Sequence, residues 1–146
     1  MVNHYYFDTS ALVKRYFPEA GSALMDGLFK QNRVVITASL TYAEVYSAIS
    51  RLHREAKLSE TELASLSKNF EEDWAGSVIV DFTAEVRKKT PGLLRRFPLR
   101  GADAVHLASA ITAKERGLDL SFVVCDGKLF SAAKDYGLTV INPLSS

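Results

Sequence analysis

Short, almost uninterrupted apolar runs alternate with helical patterns along this chain, and that alternation limits the possible folds more than any other feature. The runs are Tyr5-Tyr6-Phe7, Val34-Val35-Ile36, Val78-Ile79-Val80, Phe122-Val123-Val124-Cys125 and Thr139-Val140-Ile141. Each is too short for a helix and too uniformly apolar to keep one face in water, so each reads as a strand buried on both faces. Between them the spacing predicts helices. Ser10 to Phe17 turns at Pro18, and Glu19 to Lys30 forms a second helix. Tyr42 to Ala56 forms a third, with Tyr42, Val45, Tyr46, Ile49 and Leu52 as its apolar stripe. Ser59 with Glu62 makes a capping box that opens a helix running to about Trp74. Thr83 to Thr90 reads as helical and is broken by Pro91-Gly92, after which Leu93 to Phe97 ends at Pro98. Ala102 to Arg116 closes at Gly117, and Lys128 to Tyr136 stops at Gly137. The pattern predicts an α/β three-layer sandwich with a central parallel five-stranded sheet. It does not fix the order of the strands.

At 146 residues the chain is the size of one domain, spanning 1–146, that buries a core without disulfide or metal staples. Nothing approaches the roughly 20 apolar residues that cross a bilayer, and Met1 to Asp8 lacks the pattern of a secretory signal. The single cysteine, Cys125, rules out an internal disulfide and fits a reducing compartment, so the expected location is the cytoplasm, with no membrane partner. The net charge of +1 neither demands nor forbids a nucleic-acid partner. Its distribution is more informative. Arg87, Lys88, Lys89, Arg95, Arg96 and Arg100 fall in one stretch with no acid among them, six of the 18 basic residues. A solvated helix face and a track for a polyanion are equal readings of that run.

Most acids of the chain lie in polar stretches, but four have apolar company. Asp8 follows the first apolar run, and Asp126 follows the fourth. Asp103 shares a helical face with Leu107, Ala110 and Ile111, and Glu44 lies in Tyr42-Ala43-Glu44-Val45-Tyr46. Each needs a partner, because an unpaired carboxylate near a core is costly. Separate structural roles exist for each: Asp8 and Asp126 as helix N-caps, Glu44 as the fourth member of a capping box opened by Thr41, and Asp103 as the ion-pair partner of Arg100. A single cation accounts for all four together. Ligands beyond the carboxyl ends of parallel strands are also the rule in open α/β sheets. Oxygen ligands suit Mg²⁺ or Mn²⁺, whereas one cysteine and three scattered histidines offer no zinc spacing. His106, three positions after Asp103, reads as a packed or hydrogen-bonded core histidine rather than a ligand; His4 and His53 give no signal.

Other chemistries find no support. There is no GxxxxGK[ST] loop, no GxGxxG turn and no G-x-S-x-G elbow. Cys125 reads as inert packing, and Tyr42, Tyr46 and Phe70 read as core aromatics rather than base-stacking platforms.

The segments carrying these acids resemble the motifs of the PIN-domain family, in the family's order. They are Tyr6-Phe7-Asp8-Thr9-Ser10-Ala11-Leu12-Val13-Lys14, Thr41-Tyr42-Ala43-Glu44-Val45, Leu99 to Ala108 around Asp103, and Val124-Cys125-Asp126-Gly127-Lys128-Leu129-Phe130 with Ala132-Ala133, with Val140-Ile141-Asn142-Pro143 as a closing strand. Each motif alone is weak; the ordered set, from Tyr6 to Pro143, is specific. Short PIN domains of this length are similar to VapC-like toxins of type II toxin–antitoxin systems. The resemblance implies strand order 3-2-1-4-5, Mg²⁺- or Mn²⁺-dependent ribonuclease activity, a homodimer, and a small antitoxin partner that covers or enters the acidic pocket.

On this reading Asp8, Glu44, Asp103 and Asp126 are catalytic residues and metal ligands. Asp8 and Asp103 lead, Asp126 follows, and Glu44 keeps the most credible structural alternative. Ions held by them lower the pKa of a water and clamp the phosphate. Thr9, Ser10 and Arg100 are substrate-binding candidates, and the basic run guides the RNA backbone. Mutual repulsion of the acids predicts that Asp103→Asn leaves the metal-free protein at least as heat-stable. The rival reading is a non-catalytic phosphate- or protein-binding module of receiver type. The absence of paired acids before the first strand speaks against it.

Overall fold

The computed structural model describes residues 1–145. Its core is a five-stranded sheet in the order β3-β2-β1-β4-β5, with every neighbouring pair parallel. The strands are β1 (Asn3–Phe7), β2 (Arg33–Ala38), β3 (Val78–Val80), β4 (Leu120–Val123) and β5 (Thr139–Ile141). Phe7 pairs with Val123 of β4, and Tyr6 pairs with Ile36 of β2, so β1 lies at the centre.

Because side chains alternate along a strand, each strand feeds two cores. Tyr5, Phe7, Val35 and Val123 pack with Leu12, Met25, Phe29, Val45, Ile49 and Phe70 on one face. That layer is built by α1 (Thr9–Leu12), which runs into a 3₁₀ turn over Val13–Arg15, with α2 (Ser22–Lys30), α3 (Leu40–Arg54) and α4 (Glu60–Ala75). Tyr6, Ile36, Val80 and Phe122 meet Val86, Leu93, Leu107, Ile111 and Leu129 on the other face. There the layer consists of α5 (Ala84–Arg87), α6 (Thr90–Arg96), α7 (Gly101–Glu115) and α8 (Gly127–Tyr136). The three-layer arrangement and the strand order are those expected.

Local chemistry explains the boundaries. Ser59 Oγ accepts from the Glu62 N–H at 3.1 Å while Glu62 Oε1 accepts from the Ser59 N–H at 3.0 Å, the reciprocal capping box the sequence predicts. Gly117 and Gly137 end α7 and α8 with φ of 101° and 111°, a region that side chains with a Cβ rarely occupy. Three expectations need correction. Pro91-Gly92 does not break a helix but opens α6, because proline in the first turn has no N–H to lose there. The helix expected from Ser10 to Phe17 holds α-geometry only to Leu12 and then tightens. Tyr42, placed in the apolar stripe of α3, is 39% exposed, while Phe70 takes the buried place beneath it.

The 3₁₀ turn is tied to α4 through Asp73. Its carboxylate accepts from Arg15 Nε at 2.7 Å and from the Tyr16 hydroxyl at 2.6 Å. Asp73→Ala leaves both donors without a partner, and thermal denaturation should show a loss of about 1–3 kcal/mol.

Candidate active site

The carboxyl ends of β1, β2 and β4 point to one edge of the sheet, and the candidate acids lie on the turns and helices that leave it. Asp8 comes directly after β1 and is 4% exposed. Its N–H donates to Val123 O of β4 at 3.2 Å, which holds the turn against the neighbouring strand. The carboxylate caps α1, accepting from the Ala11 N–H at 3.1 Å, and the Ser10 hydroxyl lies 2.9 and 2.8 Å from its two oxygens. Burial drives the pKa of Asp8 up to about 6, although His106 and these hydrogen bonds work in the opposite direction.

Glu44, in the first turns of α3, does not cap its helix. Thr41 already lies inside α3, and its hydroxyl is 2.8 Å from that of Thr37. Glu44 Oε1 instead accepts from the Thr9 hydroxyl at 2.6 Å and from His106 Nε2 at 2.9 Å. Partial burial raises the Glu44 pKa, but the bonds from His106 and Thr9 outweigh it and leave the group below its ordinary value. The residue with the strongest structural alternative in the sequence has therefore lost that alternative.

Asp103 lies in the first turn of α7 and accepts from the backbone N–H of Arg100 at 3.3 Å. The expected Asp103–Arg100 ion pair is not made; the backbone N–H takes its place because it is nearer to an N3 carboxylate than a flexible guanidinium. Asp126 is exposed and caps α8, accepting from the Leu129 N–H at 2.9 Å. Thr9 and Ser10, expected to meet phosphate, direct their hydroxyls to Glu44 and Asp8. Arg100 is exposed at the entrance of α7.

The four acids share the sheet edge but do not form a ready-made cage. Among the described residues no three His, Cys, Asp or Glu side chains stand close enough together to hold an ion. Each carboxylate is instead turned to a nearby N–H or hydroxyl. The donor set still fits Mg²⁺ or Mn²⁺, hard ions that commonly take one or two carboxylates and complete their shell with water and substrate phosphate. Asp8 is a nearly buried carboxylate with no basic side chain in an ion pair with it among the described residues.

His106 is the residue the sequence undervalued. It is a buried, hydrogen-bonded histidine as expected, 3% exposed, with the Tyr6 hydroxyl 2.9 Å from Nδ1. Its contact with Glu44, 62 positions away, is long-range and leaves no mark in local spacing. Cys125 is half-buried, and burial pushes its thiol up to about 11, in keeping with an inert role.

The parallel sheet and its strand order agree with the comparisons. Residues 5–140 match the PIN domain. This chain belongs to the PIN-domain family. It is 38% identical over 135 residues to Ribonuclease VapC45 of Mycobacterium tuberculosis, covering 92% of each chain. Among solved structures, FitAcB from Neisseria gonorrhoeae superposes with a TM-score of 0.70 over 100% of both chains at 18% identity. A toxin–antitoxin complex from Klebsiella pneumoniae superposes with a TM-score of 0.66 at 17% identity, covering 95% of this chain and 97% of its own. No helix among the described residues is long and apolar enough to cross a membrane.

Proposed function

We propose that this PIN-domain chain is an Mg²⁺- or Mn²⁺-dependent endoribonuclease that acts as the toxin of a toxin–antitoxin pair. The observation that carries the reading is Asp8: a nearly buried carboxylate at the end of the central strand, pushed up to about 6 by burial, whose next residue, Thr9, holds a second carboxylate, Glu44. Family membership and the VapC relatives support the choice of RNA as substrate.

Asp8, Glu44, Asp103 and Asp126 would hold the ion. When bound, Mg²⁺ or Mn²⁺ supplies charge stabilisation for the reacting phosphate and makes a water more acidic. Ser10 and the α1 N-terminus keep Asp8 in place. Thr9 and His106 keep Glu44 ionised and aimed. Asp103 would enter from the first turn of α7 and Asp126 from the N-cap of α8. Arg87, Lys88, Arg95, Arg96 and Arg100 are exposed, and among the described residues none forms an ion pair, so they are available to RNA phosphates. The double variant Arg95→Ala/Arg100→Ala should raise KM for RNA and flatten the salt dependence of binding by about 1.4–1.8 in log–log slope, with kcat changed less.

The receiver-type alternative is disfavoured because the acids are spread over four segments and no acid precedes β1. Partner expectations follow the same reading. The toxin–antitoxin neighbour supports a small antitoxin, and exposed Val78 and Phe82 along the β3 edge support a homodimer, visible as doubled mass in light scattering. Incubation with single-stranded and structured RNAs tests the activity. Cutting with Mg²⁺ or Mn²⁺ is expected; RNA retained in chelator and never cut with metal would establish a binding module instead.

A further inference from the structure

Glu44 carries an asymmetry that its role as a ligand does not require. Both of its donors, the Thr9 hydroxyl and His106 Nε2, reach the same oxygen, Oε1, at 2.6 and 2.9 Å. Oε2 has no hydrogen-bond partner among the described residues, and the side chain is 33% exposed. A carboxylate only accepts, so a ring nitrogen 2.9 Å away must carry a proton. Tyr6 is fully buried, and its hydroxyl lies 2.9 Å from His106 Nδ1, where it donates to the ring. That bond fixes the ring orientation and leaves Nε2 to face Glu44.

The chain of contacts crosses the molecule. Tyr6 belongs to the central strand, His106 to α7 in one helical layer, and Glu44 to α3 in the other. The two layers meet past the sheet edge through this bond.

We propose that His106 is a positioning residue: braced by Tyr6, and acting together with Thr9, it holds Oε1 of Glu44 so that Oε2 is presented to the ion. The inference rests on the nuclease reading for its use but concerns the aim of one carboxylate. Partners of this kind typically contribute about 10- to 100-fold in metal affinity or activity.

The test measures Mn²⁺ binding to the RNA-free protein by calorimetry, alongside kcat and KM for RNA cleavage. His106→Leu should weaken Mn²⁺ binding and lower kcat by about 10- to 100-fold, with KM for RNA within about threefold. His106→Gln, whose amide donates near the place of Nε2, should recover most of both. In a Glu44→Gln background, His106→Leu should change Mn²⁺ affinity no further. If His106→Leu does not fold, Thr9→Val removes the other donor to Oε1 and should shift Mn²⁺ affinity in the same direction. Wild-type Mn²⁺ affinity and kcat in a folded His106→Leu protein would overturn the proposal, as would an undiminished effect in the Glu44→Gln background. A wild-type protein that binds Mn²⁺ but cuts no RNA would defeat the nuclease reading instead, and calorimetry would still decide the role of His106.

Discussion

Asp8→Asn is expected to lower RNA cleavage by on the order of 10²–10³-fold or more while making the metal-free protein more resistant to heat at pH 7.5. The two effects share one cause. Asp8 is a charge nearly withdrawn from water, and burial pushes its pKa up to about 6 against an ordinary 3.8. An acid whose folded pKa is raised binds its proton more readily in the folded state, so stability rises as pH falls from above 6 toward 4. Above pH 6 the ionised group opposes folding, by at most about 3 kcal/mol for such a shift. Asparagine removes the charge and keeps an oxygen for the Ala11 N–H, so about 1–2 kcal/mol of that opposition should be recovered. Denaturation in chelator at pH 7.5 and 4.5 checks it: the advantage of Asp8→Asn should be clear at the higher pH and shrink at the lower. A variant less stable at pH 7.5 would show that Asp8 is structural. Asp103→Asn, expected to leave the metal-free protein equally or more heat-stable, should show the smaller gain of the two, because Asp103 is only partly buried.

Phe70→Ala should cause the largest loss of stability, about 3–5 kcal/mol, and lower Tm by roughly 10 °C. Phe70 is 1% exposed, with the rings of Tyr16, Tyr42, Tyr46 and Trp74 between 5.6 and 5.8 Å from its own. It joins α4 to α3, the helix that carries Glu44. The Tyr42 and Tyr46 hydroxyls both donate to Glu71 Oε2, at 2.7 and 2.6 Å, which fixes the rim of the cluster in one arrangement and limits its collapse into the cavity. Phe70→Leu, which refills most of the volume, should lose far less. Equal losses in both variants would mean that ring packing is not what holds α4.

The strands were legible because each is a short apolar run, and β3 and β5 match theirs to the residue. These two are the edges of the sheet, however, and Val78 and Thr139 are exposed rather than buried as a doubly covered strand would require. The order 3-2-1-4-5 came from the resemblance, since pattern carries no information about which strands are neighbours. Helix ends were legible where a side chain or a glycine decides them, as at Ser59 and Gly137, and misread where context decides, as at Pro91. Within the site, the placement of Asp8 directly after its strand was readable from sequence; Asp126 follows β4 less closely than expected, because β4 ends at Val123 rather than at Cys125. Their capping bonds were foreseen, and so was the burial of His106. The pairing of Glu44 with His106 and Thr9 was not, because it joins three elements that only the folded sheet brings together. Tyr42 misled for a related reason: helical spacing places a residue on a stripe but cannot say that the stripe's edge meets water.

The most direct measurement is RNA cleavage by one preparation of the protein in Mn²⁺, after chelator, and after Mn²⁺ is restored, with Asp8→Asn alongside. Cleavage that stops with chelator, returns with the metal and is absent in Asp8→Asn is the predicted result. Cleavage that continues in chelator, or that Asp8→Asn carries out at the wild-type rate, would contradict the assignment of this acidic edge as a metal-dependent nuclease site.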